Sequence, residues 1–105
     1  MAQFGVHRNA NPASREAYPL LLDVQSDLMA DLRTRVVIPL CRLTAMNGAP
    51  VTTLMPVCAV AGEDYVVLTP QLAAIAEREL GPAVESLAVH RDAIVAALDL
   101  LLTGV

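Results

Sequence analysis

At 105 residues the chain has room for one domain, residues 1–105, around one main core. Apolar residues make up 55% and charged residues only 17%, and a formal charge of −4 excludes the basic footprint of a direct nucleic-acid binder. So much apolar surface points instead to a permanent oligomer, most simply a two-fold homodimer, and to protein partners.

The first strand is predicted at Gln3 to His7, where Phe4 and Val6 alternate with Gly5. Arg8 to Arg15, with Asn9, Asn11, Pro12 and Ser14, reads as a polar loop able to make contacts. Ala17 to Val24 is strand-like, with Pro19 implying an edge position or a bulge at its start. Asp23-Val24-Gln25-Ser26-Asp27 then turns into Leu28 and Met29, since Asp and Ser side chains bond nearby amides. Arg33 to Leu43 follows as a strand in which Val36, Val37, Ile38 and Leu40 form an almost continuous apolar run, and a run apolar on both faces predicts burial by the core and by a partner or second sheet.

Asn47-Gly48 marks a turn within Thr44 to Pro50, and Leu54 to Ala61 is the next strand. Gly62-Glu63-Asp64 turns into a short strand, Tyr65 to Leu68. About five strands with short connections make the pattern of a small antiparallel barrel. Alanine-rich Pro70 to Leu80 is predicted as a short irregular or helical piece stopped by Gly81-Pro82. Ser86 to Val105 is the terminal helix, with Leu87, Ile94, Leu98 and Leu101 on one face beside Ala97 and with Ser86 or Asp92 contributing to its cap. An apolar helix running to Thr103-Gly104-Val105 suggests an end that is either packed into the core or used for contact.

Catalytic groups are few. His7 and His90 lack metal-ligand partners at helical spacing, and Cys41 and Cys58 sit in apolar runs as reduced, buried thiols. The pairs Asp23/Asp27 and Glu63/Asp64 fall in turns, where such side chains are structural. No phosphate-binding loop or nucleophile motif is present; a ribonuclease using Arg35, Arg42 and His90 has no support in their spacing. No cofactor and no enzymatic activity are expected. No apolar run reaches the ~18 residues of a membrane span, and the polar start argues against a secretion signal, so a cytoplasmic protein is expected.

The segment Leu22-Asp23-Val24-Gln25-Ser26-Asp27-Leu28, followed by Arg35-Val36-Val37-Ile38-Pro39-Leu40, resembles the CcdB family of toxins. Gln3-Phe4 and the tail Leu100-Leu101-Leu102-Thr103-Gly104-Val105 extend the resemblance nearly end to end, with an insertion in the Arg8–Arg15 loop. It implies a mainly β, SH3-like antiparallel barrel of the CcdB/MazF kind with a C-terminal helix, assembled as a homodimer. It also implies a toxin of a type II toxin–antitoxin module that binds the A subunit of DNA gyrase and traps the cleaved DNA complex. In that family no bond is broken by the toxin itself, and a CcdA-type antitoxin neutralises it.

Carried over by position, the gyrase-binding residues are Leu28, Met29, Asp99, Leu102, Thr103, Gly104 and Val105. Arg8, Arg15 and Arg42 are expected to meet the acidic antitoxin. Thr103 stands where the family has Trp, and Leu102 where it has Phe. Thr offers no π face to an Arg of the target, a contact of about 2 kcal/mol or more when desolvated. Two readings stay open: a gyrase poison, or a CcdB-like dimer that binds antitoxin with gyrase poisoning lost or altered.

Overall fold

Residues 2–104 are described by a computed structural model. Strands β1 (Gly5–Asn9), β2 (Leu20–Asp23), β3 (Thr34–Arg42), β4 (Val57–Val60), β5 (Glu63–Val67), β6 (Ala73–Ala76) and β7 (Leu80–Ser86) precede helix α1 (Arg91–Thr103). The strands form one antiparallel sheet in the order β4-β5-β3-β2-β1-β7, and β6 pairs with β3. The result is mainly β: a curled half-barrel sheet with a C-terminal helix.

β3 explains the curl. Its outer edge pairs with β6 through Thr34–Val37 and with β5 through Leu40–Arg42, while its other edge carries β2 through Val37–Leu40. One nine-residue strand therefore belongs to two arms of the sheet. Alternate side chains point to opposite faces. Val6, Leu22, Ile38 and Leu40 gather with Val60, Val67, Leu87 and Ile94 against α1, all essentially without solvent exposure. Each such side chain contributes about 1.5–3 kcal/mol by leaving water. On the other face Cys41, Val66 and Leu68 pack under Tyr18, Met46, Met55 and Val57. At Cys41 that cover comes from Met46 and Met55 in the connection between β3 and β4, with Tyr18 from the loop before β2.

Several expectations are corrected. Pro70 to Leu80 holds strand β6 between two 3-10 turns, Thr69–Gln71 and Glu77–Glu79. The alanines favour helix on their own, but pairing with β3 overrides that preference. Gly81-Pro82 stops nothing; it lies inside β7 at a register shift of the edge pairing with β1, where a residue without an N–H is tolerated. Two strands therefore join the expected five. Pro19 does not mark an edge: β2 lies between β1 and β3, and Pro19 stands just before it. The β4–β5 turn is Ala61-Gly62, both at positive φ (51° and 82°), a two-residue type I′ hairpin.

The helix begins at Arg91, later than Ser86. The Ser86 hydroxyl accepts from the Ala88 amide at 3.1 Å, one residue ahead of the N-cap Leu87 of the 3-10 turn Ala88–His90 that leads into α1. Asp92 lies in the first helical turn, and no side chain caps α1 itself. The predicted apolar face is seated through Leu87, Ile94 and Ala97 and is released at Leu101. Gly104 closes the helix in the left-handed conformation (φ 76°), donating its N–H to the Leu100 carbonyl at 3.0 Å.

Candidate functional site

The Asp23–Asp27 turn is built from its own side chains. Asp23 pairs with Val37, so its diagonal neighbour on the same face is Arg35. Arg35 donates Nε–H to Asp23 Oδ2 at 2.9 Å; its Nη2 lies 2.7 Å from the same oxygen but off hydrogen-bond geometry, and both side chains are fully buried. Asp23 Oδ1 accepts from the Gln25 amide at 3.0 Å. Gln25 in turn donates to the Met29 carbonyl at 2.8 Å and accepts from the Val36 amide at 3.0 Å. Ser26 caps the 3-10 turn Asp27–Met29 by accepting from the Leu28 amide, and Asp27 accepts from the Gln3 amide at 2.8 Å. The carboxylates of the Asp23/Asp27 pair are thus structural, as expected.

This wiring leaves Leu28 91% exposed, with Met29 and Leu32 half exposed. An apolar side chain left in water by a hydrogen-bonded turn is a candidate contact element. The second exposed apolar element is the last turn of α1, where Leu102 is 69% exposed. Thr103 turns its hydroxyl back onto the Asp99 carbonyl at 2.6 Å. Asp99, Thr103 and Gly104 are exposed there as well, while Val105 lies outside the described residues.

The three expected antitoxin contacts are spread out. Arg8 is exposed on β1, Arg15 is exposed in the loop before β2, and Arg42 ends β3 in an ion pair with Glu63 at 2.9 Å. The loop itself is anchored: Asn9 donates to Ser14 Oγ and to the Tyr18 carbonyl, and Asn11 donates to Glu79 Oε1 at 3.1 Å.

Arg35, Arg42 and His90 are not assembled into a ribonuclease centre. Arg35 is buried against Asp23, Arg42 is engaged by Glu63, and His90 precedes α1. Cys41 and Cys58 belong to different core clusters, as free thiols, and burial pushes both thiols above their ordinary pKa. Among the described residues no group of three or more His, Cys, Asp or Glu is placed to hold a metal, and no helix is long and apolar enough to cross a membrane.

A further site was not visible in the sequence. On the sheet face turned away from α1, His7 and Ala83 pair across β1 and β7, while the Glu77 amide bonds the Arg33 carbonyl at 2.9 Å across the β3–β6 end. Between them lies an open concavity of about 710 Å³ lined by His7, Arg33, Glu77 and Arg78, with Leu80 and Gly81. His7 Nδ1 is 3.1 Å from the Gly81 carbonyl. A carbonyl only accepts, so Nδ1 is the donor in this contact. Among the described residues, neither Arg33 nor Arg78 has a carboxylate within 4.0 Å, unlike Arg35 and Arg42. These residues come from three separate stretches, so no local spacing signals them.

The model of the CcdB protein family matches residues 3–104. Among solved structures the chain is similar to the toxin MazF-mt6 of Mycobacterium tuberculosis, with TM-score 0.69 and 16% identity over 90% of this chain and 92% of that one. It is also similar to a mycobacterial endoribonuclease in complex with its cognate antitoxin, with TM-score 0.74 and 16% identity over 97% and 94%. A second mycobacterial endoribonuclease gives TM-score 0.69 and 18% identity over 97% and 90%. No curated protein matches the chain. At these identities the likeness is one of fold. It nevertheless corrects the expectation of no enzymatic activity, because two of these structures that share the fold are endoribonucleases.

Proposed function

This chain belongs to the CcdB family, and from that premise we propose that it is the toxin of a toxin–antitoxin pair whose protein target is the A subunit of DNA gyrase. A cognate antitoxin is the matching partner, and the similarity to an endoribonuclease solved with its antitoxin supports it. The observation that carries the gyrase reading is the Asp23–Met29 turn, a buried ion pair and a Gln25 clamp that together hold Leu28 in water.

In this reading Leu28 and Met29 form one apolar contact, and Asp99, Leu102, Thr103, Gly104 and Val105 form another at the helix tip. Two copies related by a two-fold axis present both elements twice, which suits a symmetric target. Trapping then works by differential affinity, with the cleaved, opened gyrase bound better than the closed form. Arg8, Arg15 and Arg42 offer the antitoxin an Arg-based surface, on a protein whose overall charge of −4 otherwise repels acidic segments.

A second reading is favoured by one detail. The Thr103 hydroxyl is satisfied by its own helix, so the tip offers the target neither a ring nor a free donor. A dimer that keeps its antitoxin but has lost or altered gyrase poisoning accounts for that. Purified gyrase decides between the two. Cleaved plasmid accumulating at micromolar protein, and no longer doing so with Leu28→Asp, supports gyrase as the target; intact plasmid together with tight antitoxin binding supports the second reading.

A further inference from the structure

Asn47-Gly48, in the connection between β3 and β4, belongs to neither the core nor the contact elements described above. Both residues are exposed. The chain bends there after the 3-10 turn Leu43–Ala45, whose last bond runs from the Met46 amide to the Leu43 carbonyl at 3.2 Å. Beyond it the backbone is untied: among the described residues neither the Gly48 amide nor the Asn47 side chain has a hydrogen-bond partner. A β-carbon placed on Gly48 would meet nothing within 4 Å. No hydrogen bond holds this bend in one conformation, and no side chain shields the Gly48 nitrogen.

That combination has a chemical consequence. The side-chain amide carbon of an asparagine lies within reach of the backbone nitrogen of the next residue. If that nitrogen attacks, a five-membered ring closes and ammonia leaves. The reaction needs an unshielded nitrogen that carries a proton, a free side-chain amide, and a backbone able to turn.

The chain holds three asparagines, and the other two show what blocks the reaction. Asn9 is buried, and its Nδ2 donates to Ser14 Oγ at 3.0 Å and to the Tyr18 carbonyl at 2.9 Å. Its Oδ1 accepts from the Asn11 amide, and the following nitrogen, that of Ala10, is committed to the Glu79 carbonyl at 3.1 Å. Asn11 is followed by Pro12, whose nitrogen has no proton to give up. Its side chain is also tied, accepting from the Ala13 amide and donating to Glu79. Only Asn47 meets all the requirements.

We propose that Asn47 is a site of spontaneous covalent ageing, converted through a succinimide into aspartate and isoaspartate. The Gly48 nitrogen gives its proton to solvent and bonds to Asn47 Cγ. The bond from Cγ to Nδ2 breaks, and the nitrogen leaves as ammonia with a proton from water. Water then opens the ring. Attack at Cγ gives aspartate; attack at the Asn47 backbone carbonyl carbon gives isoaspartate, with the main chain rerouted through the side chain. Nothing is oxidised or reduced: water enters and ammonia departs. Either product adds one negative charge to a chain that carries −4. Isoaspartate also lengthens the backbone by one carbon beside Met46, which packs against the Cys41–Val66–Leu68 cluster.

The test holds the purified protein at mildly alkaline pH beside a peptide of residues Ala45–Pro50, then cleaves after arginine. This yields Leu43–Arg78, in which Asn47 is the only asparagine, and Asn9–Arg15, which carries the other two. The expected result is a gain of about one dalton in Leu43–Arg78, placed at Asn47 and present as both aspartate and isoaspartate. Its rate should lie within several-fold of the peptide's, with Asn9–Arg15 unchanged. Asn47→Gln keeps an exposed amide but cannot close the five-membered ring, so it should fold as the parent does by circular dichroism and release no ammonia over the same time. Four results would each overturn the proposal: Asn47 intact when the peptide is half converted, aspartate without isoaspartate, equal change in Asn9–Arg15, or ammonia from Asn47→Gln as fast as from the parent. None of these outcomes bears on Leu28 or the helix tip.

Discussion

The Asp23–Met29 turn and the tip of α1 both expose a leucine, yet they are held in opposite ways. The turn is fixed by side chains: a buried Asp23–Arg35 pair, a Gln25 that bonds the Met29 carbonyl and the Val36 amide, a cap from Ser26, and an Asp27 that accepts from the Gln3 amide. The tip is fixed by backbone alone, through the Gly104 cap and the end of the helical ladder, with Thr103 bonded only to its own helix. The difference separates an exposed apolar element that is tied into the fold from one that is replaceable. Residues that set the turn are also residues of the fold, so changing them costs stability before it changes binding. Residues at the tip touch little else, so sequence change there alters contact chemistry and leaves the core alone.

The largest effect that separates the two regions is expected at Asp23. Asp23→Ala strands the Arg35 guanidinium in a site with no solvent, which costs about 3–5 kcal/mol. Chemical denaturation should show that loss, and a variant within about 1 kcal/mol of the parent would mean the pair does not organise the turn. Gln25→Ala comes next. It removes one acceptor and one donor from a buried side chain, for about 2 kcal/mol, and should loosen Leu28 and Met29 more than the core. Hydrogen exchange at the Val36 amide is the sensitive readout, because its partner is the Gln25 side chain.

Gly104→Ala should cost less, about 1 kcal/mol. A β-carbon there meets nothing within 4 Å, so the cost comes from the left-handed backbone alone. Thermal unfolding should fall by a few degrees, and Gly104→Asn, which tolerates that conformation better, should recover part of it. Equal melting of the glycine and alanine forms would show that the helix frays before the cap forms.

The pattern of what the sequence disclosed follows the same division. β1 to β5 were legible because short apolar runs bounded by turn residues survive without tertiary help, as in Val36 to Leu40. β6 was not, because Ala73, Ala74 and Ala76 carry a helical preference that only the distant pairing to β3 defeats. β7 was hidden by Gly81-Pro82, a local stop signal that an edge strand absorbs in a bulge. The turn at Asp23–Asp27 could be read because its wiring is local in sequence. The His7 concavity could not, since it exists only once β7 is laid beside β1 and the Glu77 turn beside Arg33.

The smallest effect on stability, and the sharpest on the comparison, is expected at Thr103→Trp. The side chain is exposed and its single hydrogen bond runs to the Asp99 carbonyl, so unfolding should shift by no more than about 0.5 kcal/mol. The new indole has no core to enter and remains at the surface beside Leu102. If gyrase is the target, that ring supplies a stacking face for a cation, and a gain of about 1.4 kcal/mol would already be tenfold in affinity. Binding to immobilised gyrase A subunit measures it directly. A variant that melts like its parent and binds gyrase no better would assign recognition to the rigid Leu28 turn and leave the tip as the end of a helix. A variant that binds better without any change in melting would show that contact chemistry at the tip is set independently of the fold, as its backbone-only anchoring requires.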